Sequence, residues 1–564
     1  MRMSFFKRVI IQEFRGINTL VPAHMIDDRE AQEMRDCRID LGRLEARQFR
    51  NKHGPPAGVT TWKEPIRFFS KLHDGATVKD IVISDGNIYR DYTSLESGFD
   101  QKDNWSGFIY NGSLYIASKN AMRAVGATTL YNWGIAKPTD TIEGAAGAAG
   151  EPSGTYYYKV TFYNTDGIES DSSGASDAVT VADQKVSLTT VPLSSDSQVT
   201  GRYVYRIGGL VSTYRRIGTI ADNTTTTLSD NISDAAASSL TELSVSSHDE
   251  PDSMPIVALH NGRAYYAGNT TYPNRLYYSD SLYPEYSGNY RVIGGYEKLV
   301  SLVTWEGELF MWKQGEIYSL QGSTPGTGFI RQLQVKRGTV SANSVAVGKF
   351  PTYIYWDGIY THDGYTDAPV GRKLYDLFTN DLNTDALKNS VAVATRQFYI
   401  ASVPEKGEDN PTLTIVYNYE TRDCTILEFG ATALYADEGG IVYVGTADGK
   451  IYTLGGKYNS EDETINMDWL SKKFLMGPIP GRSGSIKNAT IISDTKGEDV
   501  EVIAHVDGVR NHCGVINSNG IGVDNISLSD RDGEFLELEL KYSGEKRPII
   551  YPPLVINPDG EGAQ

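Results

Sequence analysis

Residues 299–321, LVSLVTWEGELFMWKQGEIYSLQ, read as three short strands in succession with turns at Glu306-Gly307 and Gln314-Gly315. A Gly at the second turn position supplies the positive φ that a two-residue hairpin requires. Three such strands in a row make a meander, and a recurring meander is most simply one blade of a β-propeller.

The meander does recur. A phrase of turn residue, Gly, any residue, aliphatic, aromatic stands at Asp85-Gly86-Asn87-Ile88-Tyr89, Asn111-Gly112-Ser113-Leu114-Tyr115, Asn261-Gly262-Arg263-Ala264-Tyr265, Glu306-Gly307-Glu308-Leu309-Phe310, Gln314-Gly315-Glu316-Ile317-Tyr318 and Asp448-Gly449-Lys450-Ile451-Tyr452. Looser copies lie at Asp357-Gly358-Ile359-Tyr360 and Gly439-Gly440-Ile441-Val442-Tyr443. The phrases fall in 60–135 and 251–456, enough chain for six to seven blades at roughly 40 to 45 residues each. The fold predicted is all-β, a single propeller of about six to seven blades whose two parts are separated by an insertion.

The insertion, 136–250, opens with Gly144-Ala-Ala-Gly147-Ala-Ala-Gly150, which reads as a small-residue linker, and continues in alternating strands. GTYYYKVTFYNTDGIES (154–170) reads as a hairpin turning at Asp166-Gly167; VTGRYVYRIGG, YRRIGTIAD and TTTTLSD follow as strands. Short strands with regular turn signals predict a small β-sandwich of the fibronectin type III class. After the last phrase, 457–564 predicts a separate C-terminal β domain. In EFLELELKYSG (535–544 with its lead-in), Leu536, Leu538 and Leu540 face one way and Glu537, Glu539 and Lys541 the other. The N-terminal 1–59 reads as an arm without blades, with at most a short helix around Asp28–Met34 capped by Asp27 or Asp28.

Composition agrees with a β-rich chain: of 564 residues, 36 are Tyr, which favours strands, and 56 are Gly, which favours turns. The 53 Lys and Arg against 71 Asp and Glu leave a net charge of −18, which argues against tight binding of nucleic acid, since that rests on many cationic contacts to phosphate. No apolar run reaches the roughly 18 residues of a membrane span, and Lys7, Arg8 and Glu13 interrupt any signal-peptide core, so synthesis in a cytoplasm without the usual export is expected. Cys37, Cys424 and Cys513 are far apart and in no CxxC spacing, which predicts neither a disulfide framework nor a structural zinc.

Few residues suggest chemistry. A glycosidase needs a matched pair of carboxylates, whereas most Asp and Glu here sit in turns, and no sialidase box of Ser-x-Asp-x-Gly-x-x-Trp occurs. His505, Asp507, His512 and Cys513 are the densest set of metal-ligand types, in no zinc spacing. No GxSxG elbow or cysteine-enzyme context is present, and Gly144–Gly150 lacks the Lys-Ser/Thr of a P-loop. Trp305, Trp312 and Trp356 read as blade-strand packing rather than carbohydrate platforms. The expectation is a non-enzyme with no catalytic, metal or cofactor residue to name.

The most specific stretch is 18–50, NTLVPAHMIDDREAQEMRDCRIDLGRLEARQFR, with Glu30-Ala31 followed by Arg38-x-Asp40-x-Gly42-x-Leu44-x-x-Arg47 and a turn at Leu41-Gly42. It resembles the opening of the tail nozzle (tail tubular protein B-like) family of short-tailed bacteriophages, in which such a phrase precedes a propeller. Trp469-Leu470-Ser471-Lys472-Lys473-Phe474 is similar to a second phrase of that family. Two departures are visible: Cys37 stands where Asn is usual, and Gln48-Phe49 replaces Pro-Gly. The resemblance implies a virion tail protein assembled in the host cytoplasm, a homo-oligomeric and usually hexameric ring below portal and adaptor. Its partners would be those proteins, tail fibres or needle, and duplex DNA passing through without tight binding. An acidic chain suits such a channel, because it repels phosphate. Other readings stand beside it: a carbohydrate-binding or carbohydrate-degrading propeller at a host surface, or another tail hub or fibre-attachment ring.

Overall fold

The computed structural model describes residues 8–54, 62–165, 167–244, 251–280, 284–285, 289–322, 326–456, 463–477, 479–528 and 532–558. The architecture is all-β and multi-sheet, with four-stranded antiparallel meanders repeated along the chain in a propeller-like series. Sheet 1 runs Phe68–Asp74, Thr77–Ser84, Asn87–Arg90, Thr93–Ser97, and sheet 2 Ser106–Tyr110, Ser113–Ala117, Met122–Val125, Leu130–Asn132. Sheet 3 runs Ile256–His260, Arg263–Ala267, Arg275–Tyr278, Asn289–Val292, and sheet 4 Ser301–Trp305, Glu308–Trp312, Ile317–Gln321, Phe329–Gln332. Sheet 5 comprises Ala346–Val347, Pro351–Tyr355, Gly358–His362 and Asp367–Pro369; sheet 6 Val391–Ala394, Phe398–Val403, Leu413–Asn418 and Cys424–Leu427. Sheet 7 takes Ala433–Ala436, Val442–Gly445 and Ile451–Gly456, and its fourth strand, Phe49–Lys52, comes from the start of the chain.

The turn chemistry explains the series. Asp85 and Gly86 have φ of 53° and 68°, Asn111 and Gly112 47° and 75°, Asn261 and Gly262 49° and 70°, Glu306 and Gly307 49° and 76°. Two successive positive φ values define the type I′ turn, whose twist matches that of the paired strands. Four expected turns differ: Asp448-Gly449 lies inside the five-residue loop closed by Gly445 opposite Ile451, and Gly439-Gly440 inside the five-residue loop closed by Ala436 opposite Val442. Gln314-Gly315 lies inside a four-residue loop, because the ladder closes at Trp312 opposite Ile317. At Asp357-Gly358 the turn falls one residue earlier, on Trp356-Asp357, since Tyr355 pairs with Gly358. Trp356 is therefore an exposed turn residue, not a strand residue, whereas Trp312 is fully buried.

The first strands of the seven sheets lie side by side. Those of sheets 2 to 7 touch in sequence order, that of sheet 7 touches that of sheet 1, and sheets 1 and 2 share a core of Ile81, Ile83, Leu114 and Ile116. Hydroxyl groups clip neighbours together. Ser106 Oγ donates to Pro255 O at 2.7 Å, Thr304 Oγ1 to Leu259 O at 2.9 Å and Ser301 Oγ to Ala342 O at 3.0 Å. Ser341 Oγ donates to Ser390 O at 2.6 Å and Thr432 Oγ1 to Ile66 O at 2.8 Å. Ser301, Ser341 and Thr432 are buried, where an unmade hydrogen bond would cost about 1–3 kcal/mol.

The insertion is a two-sheet sandwich. One sheet orders Glu143–Ala149, Gln184–Thr189, Leu228–Asp230; the other orders Val179–Val181, Gly154–Tyr163, Gly201–Gly208, Val211–Ile220. Its core, including Tyr158, Val160, Val186, Leu188 and Val204, is drawn from its own residues. The Gly/Ala run expected as a linker is instead an edge strand paired with Gln184–Thr189. A Cβ on Gly144 would come within 2.8 Å of Val179 Cγ2, so small residues let the two sheets approach. The expected hairpin at 154–170 is also different, and Asp166 lies outside the described residues. Past the turn, Ser170, Ser173 and Ser176 donate their N–H groups to Phe162 O, Val160 O and Tyr158 O. Their Oγ atoms accept from the N–H of the same three partners at 2.9–3.0 Å. A period of three on one side satisfies a period of two on the other.

The chain ends do not form an arm and a separate domain. One sheet orders Cys37–Asp40, Arg43–Ala46, Ile549–Pro558, Ile486–Asp494, Gly522–Ser527, with Val9–Ile11 also on Ile549–Pro558. The other orders Ala31–Arg35, Ile465–Ser471, Phe535–Gly544, Val500–Val506, Val509–Ile516. Ala31–Arg35 continues into sheet 6 through a parallel bridge between Arg35 and Ile426. The helix expected around Asp28–Met34 is replaced by this strand, because a partner strand from the far end of the chain outweighs local propensity. Leu536, Leu538 and Leu540 are buried as expected, but Glu539 is buried too.

Candidate functional site

Both phrases of the nozzle resemblance lie in the terminal sandwich, on adjoining strands. Ala31 stands opposite Ser471 and Met34 opposite Trp469. Gln32 Nε2 donates to Ser471 O at 2.7 Å, and Phe14 packs edge-on against Trp469 with ring centroids 5.3 Å apart. Lys472 Nζ reaches Asp28 Oδ1 at 2.8 Å.

The charged residues of the first phrase are taken up in ion pairs. Glu30, 6% exposed, lies 2.7 Å from Lys373 Nζ and accepts from Asn18 Nδ2 at 2.7 Å. Burial raises its pKa, but those two partners outweigh burial and hold it below its ordinary value of 4.5. Arg47 Nε is 2.9 Å from Asp36 Oδ1, and Glu463 is 2.8 Å from Arg47 and 2.6 Å from Arg50. Burial raises the Glu463 pKa as well, and Arg47 with Arg50 more than offsets it. Arg38 and Arg43 both pair with Asp40. The Glu30 pair ties the start of the chain to the segment between sheets 5 and 6, and the Glu463 pairs tie it to the lead-in of the 465–471 strand. Carboxylates held in this way are poor proton-transfer groups near neutral pH.

The other candidates are dispersed. His505 Nε2 is 2.7 Å from Glu539 Oε2, Asp507 accepts from the N–H groups of Glu534 and Phe535, and His512 pairs across the ladder with Ile503. Among the described residues, no group of three or more His, Cys, Asp or Glu is placed to hold a metal ion. Burial pushes the Cys37 and Cys513 thiols up and the Cys424 thiol to about 12, so they stay protonated and unreactive.

Two cavities follow from the arrangement of the seven sheets. The inner one, about 290 Å³, is lined by Phe69, Ser106, Val257, Leu302, Val345, Ala392 and Ala433, one residue from or beside the first strand of each sheet. That is far too small for a duplex. The second is an open cleft of about 850 Å³ between sheets 6 and 7, floored by Ile400, Val416, Leu427, Val442 and Leu454. Sequence reasoning missed it, because it depends on how two sheets splay.

Among the described residues no helix is long and apolar enough to cross a membrane. No family model matches the sequence, and no curated relative matches it. Among solved structures the chain is similar to BamB from Moraxella catarrhalis, at 11% identity over 72% of this chain and 100% of that one, with a TM-score of 0.33. It is also similar to KlHsv2 with its loop 6CD replaced by a Gly-Ser linker, at 9% identity over 64% of this chain and 97% of that one, with a TM-score of 0.24. Likenesses of this size carry no argument about what the chain does.

Proposed function

We propose that this chain is a non-enzymatic structural subunit of a short-tailed bacteriophage tail, forming the nozzle ring that extends the DNA-ejection channel below portal and adaptor. Its body is a closed seven-bladed propeller. The strand Phe49–Lys52, which completes sheet 7, supports closure of that ring, and a fibronectin III-like sandwich is inserted between sheets 2 and 3.

The observation that carries the reading is the meeting of the two family-like phrases. Gln32 and Ser471 are 439 positions apart, yet they are hydrogen-bonded on neighbouring strands. Phrases that had arisen separately would have no reason to form one clasp. The net charge of −18 also supports it, since an acidic chain opposes adhesion of phosphates. The inner cavity of one propeller is too small for a duplex, so the channel of this proposal runs between subunits.

Averaged electron micrographs of intact particles test it. The chain is expected around the axial channel, and a position on a peripheral fibre would end the nozzle reading even with the fold intact. A parallel screen on capsule and lipopolysaccharide fragments is expected to show no turnover. Hydrolysis abolished by a single Asp or Glu substitution would move the protein to the enzyme class.

A further inference from the structure

The four-stranded sheet of the insert has two unlike faces. Its inner face puts Tyr158, Val160 and Val204 into the core, and the cations there are neutralised. Arg206, fully buried, pairs with Asp230 at 2.7 Å, and Arg202 pairs with Asp222 at 3.1 Å. Successive strand residues point to opposite faces, so the outer face receives Tyr157, Lys159 and Tyr163 from one strand, Tyr203 and Tyr205 from the next. Lys159 stands opposite Tyr205, and Tyr205 opposite Arg216 on the third strand. The two cations thus flank one row, two strand spacings or about 10 Å apart, with Tyr205 buried beneath them.

Aromatic rings hold both cations in place. Tyr203 lies between the Tyr163 ring, stacked on it with centroids 4.1 Å apart, and the Arg216 guanidinium, 4.4 Å from its centroid. Lys159 Nζ stands 5.0 Å from the centroid of Tyr214. A guanidinium laid on a ring keeps its N–H edge outward, in the fork that fits a carboxylate, and has little freedom left to lose on binding.

Neither cation is neutralised within the chain. Arg216 reaches Thr241 Oγ1 at 3.4 Å and Lys159 reaches Ser172 Oγ at 3.3 Å, and neither has a carboxylate partner among the described residues. The carboxylates that border the face are engaged. Glu169 accepts from Tyr205 OH and Thr161 Oγ1, both at 2.6 Å, and Glu242 pairs with Arg215 at 3.2 Å. The hydroxyls of Tyr157, Tyr163, Tyr203 and Tyr214 have no hydrogen-bond partner among the described residues.

A solvated sheet face ordinarily pairs opposite charges across its strands. This one, in a chain of net charge −18, instead offers two ordered cations beside four phenols, each phenol both donor and acceptor. Its charge and its hydrogen-bonding groups complement a molecule rich in hydroxyls and bearing carboxylates. Nucleic acid fits less well, because bases stack on open ring faces, and Arg216 and Lys159 occupy faces of Tyr203 and Tyr214.

We propose that the outer face of this sheet binds an acidic polysaccharide, with carboxylates on Lys159 and Arg216 and sugar hydroxyls on the phenols. The proposal goes beyond the tail reading and does not depend on a ring.

The test is calorimetric titration of the full chain with polygalacturonate, beside neutral dextran and a single-stranded oligothymidylate. Polygalacturonate alone is expected to bind. Lys159→Gln and Arg216→Gln should each weaken it about tenfold or more, as loss of a hydrogen bond to a charged group does. Tyr157→Phe keeps the ring, removes the hydroxyl and should weaken binding about threefold. Lys119→Gln removes the same charge from an exposed position beside sheet 2 and should leave binding unchanged. Circular dichroism and melting of each variant are expected to match wild type; should one cation variant melt early, the other and Tyr157→Phe carry the test. Absence of polygalacturonate binding, equal binding of dextran, or tighter binding of the oligonucleotide would overturn the proposal. So would a loss in Lys119→Gln as large as that in Lys159→Gln, which would make the attraction diffuse. Each of these results leaves the nozzle reading standing.

Discussion

The two β-sandwiches of this chain are built from opposite kinds of contact. Every strand of the insert lies within Glu143–Asp230, and its core is its own. The terminal sandwich joins strands from the first fifty residues to strands beyond residue 464 in both of its sheets, and its core runs on into Ile354, Leu374 and Tyr399 of the sheet 5 and 6 region. The same architecture thus serves as a module in one place and as a clasp in the other. Local contacts can form and break alone, whereas a clasp of distant segments holds whatever lies between them.

The sharpest way to break that contrast is Trp469→Ala. Trp469 is fully buried at the seam of the two phrases, and removing it should cost about 3–5 kcal/mol. Calorimetry is expected to show the main unfolding transition lowered as a whole; a loss confined to a small separate transition would mean the ends are not a clasp. In the insert, Arg206→Met leaves Asp230 buried without its cation, at a cost of about 3–5 kcal/mol. That loss should stay within the insert, so a probe on sheets 1 to 7 should hardly move. Gln198→Ala tests how the module is tethered. Gln198 Nε2 donates to Gly134 O at 2.8 Å beside a small core of Ile135, Phe162 and Val199, and losing that buried bond should cost about 1–3 kcal/mol, seen as earlier hydrogen exchange at the insert base.

The clasp should also be acid-sensitive through Glu463. Its folded pKa is held below the ordinary 4.5, so its stabilisation is complete above the unfolded value and is lost as pH falls through the folded one. Glu463→Gln should remove that dependence: urea midpoints of wild type should fall more steeply below pH 4.5 than those of the variant, and parallel curves would contradict the assignment. The smallest effect expected is a gain. Leu41 holds φ 49° and is 90% exposed, and Leu41→Asn should stabilise the hairpin by about 0.5–1 kcal/mol, since Asn tolerates that conformation.

Legibility in the sequence follows the same division. The blades were readable because Asp85-Gly86, Asn111-Gly112 and Asn261-Gly262 announce turns between adjacent strands, and turn chemistry is local. Phe49–Lys52 carried no such signal, since its partner is Ile451–Gly456. Glu143–Ala149 was misread as a linker because a strand of Gly and Ala shows no hydrophobic alternation, although its small residues are what the sheet contact needs. The two halves of the clasp were readable as phrases, but their pairing was not, because a register between Ala31–Arg35 and Ile465–Ser471 leaves no trace in either segment alone.

Class averages of the purified full-length protein in the electron microscope test the central claim most directly. The account predicts closed rings whose lumen lies between subunits and is wide enough for duplex DNA, each subunit showing a compact propeller with the insert at its rim. A field of single propellers at every concentration, or rings with no lumen beyond the propellers' own cavities, would contradict it.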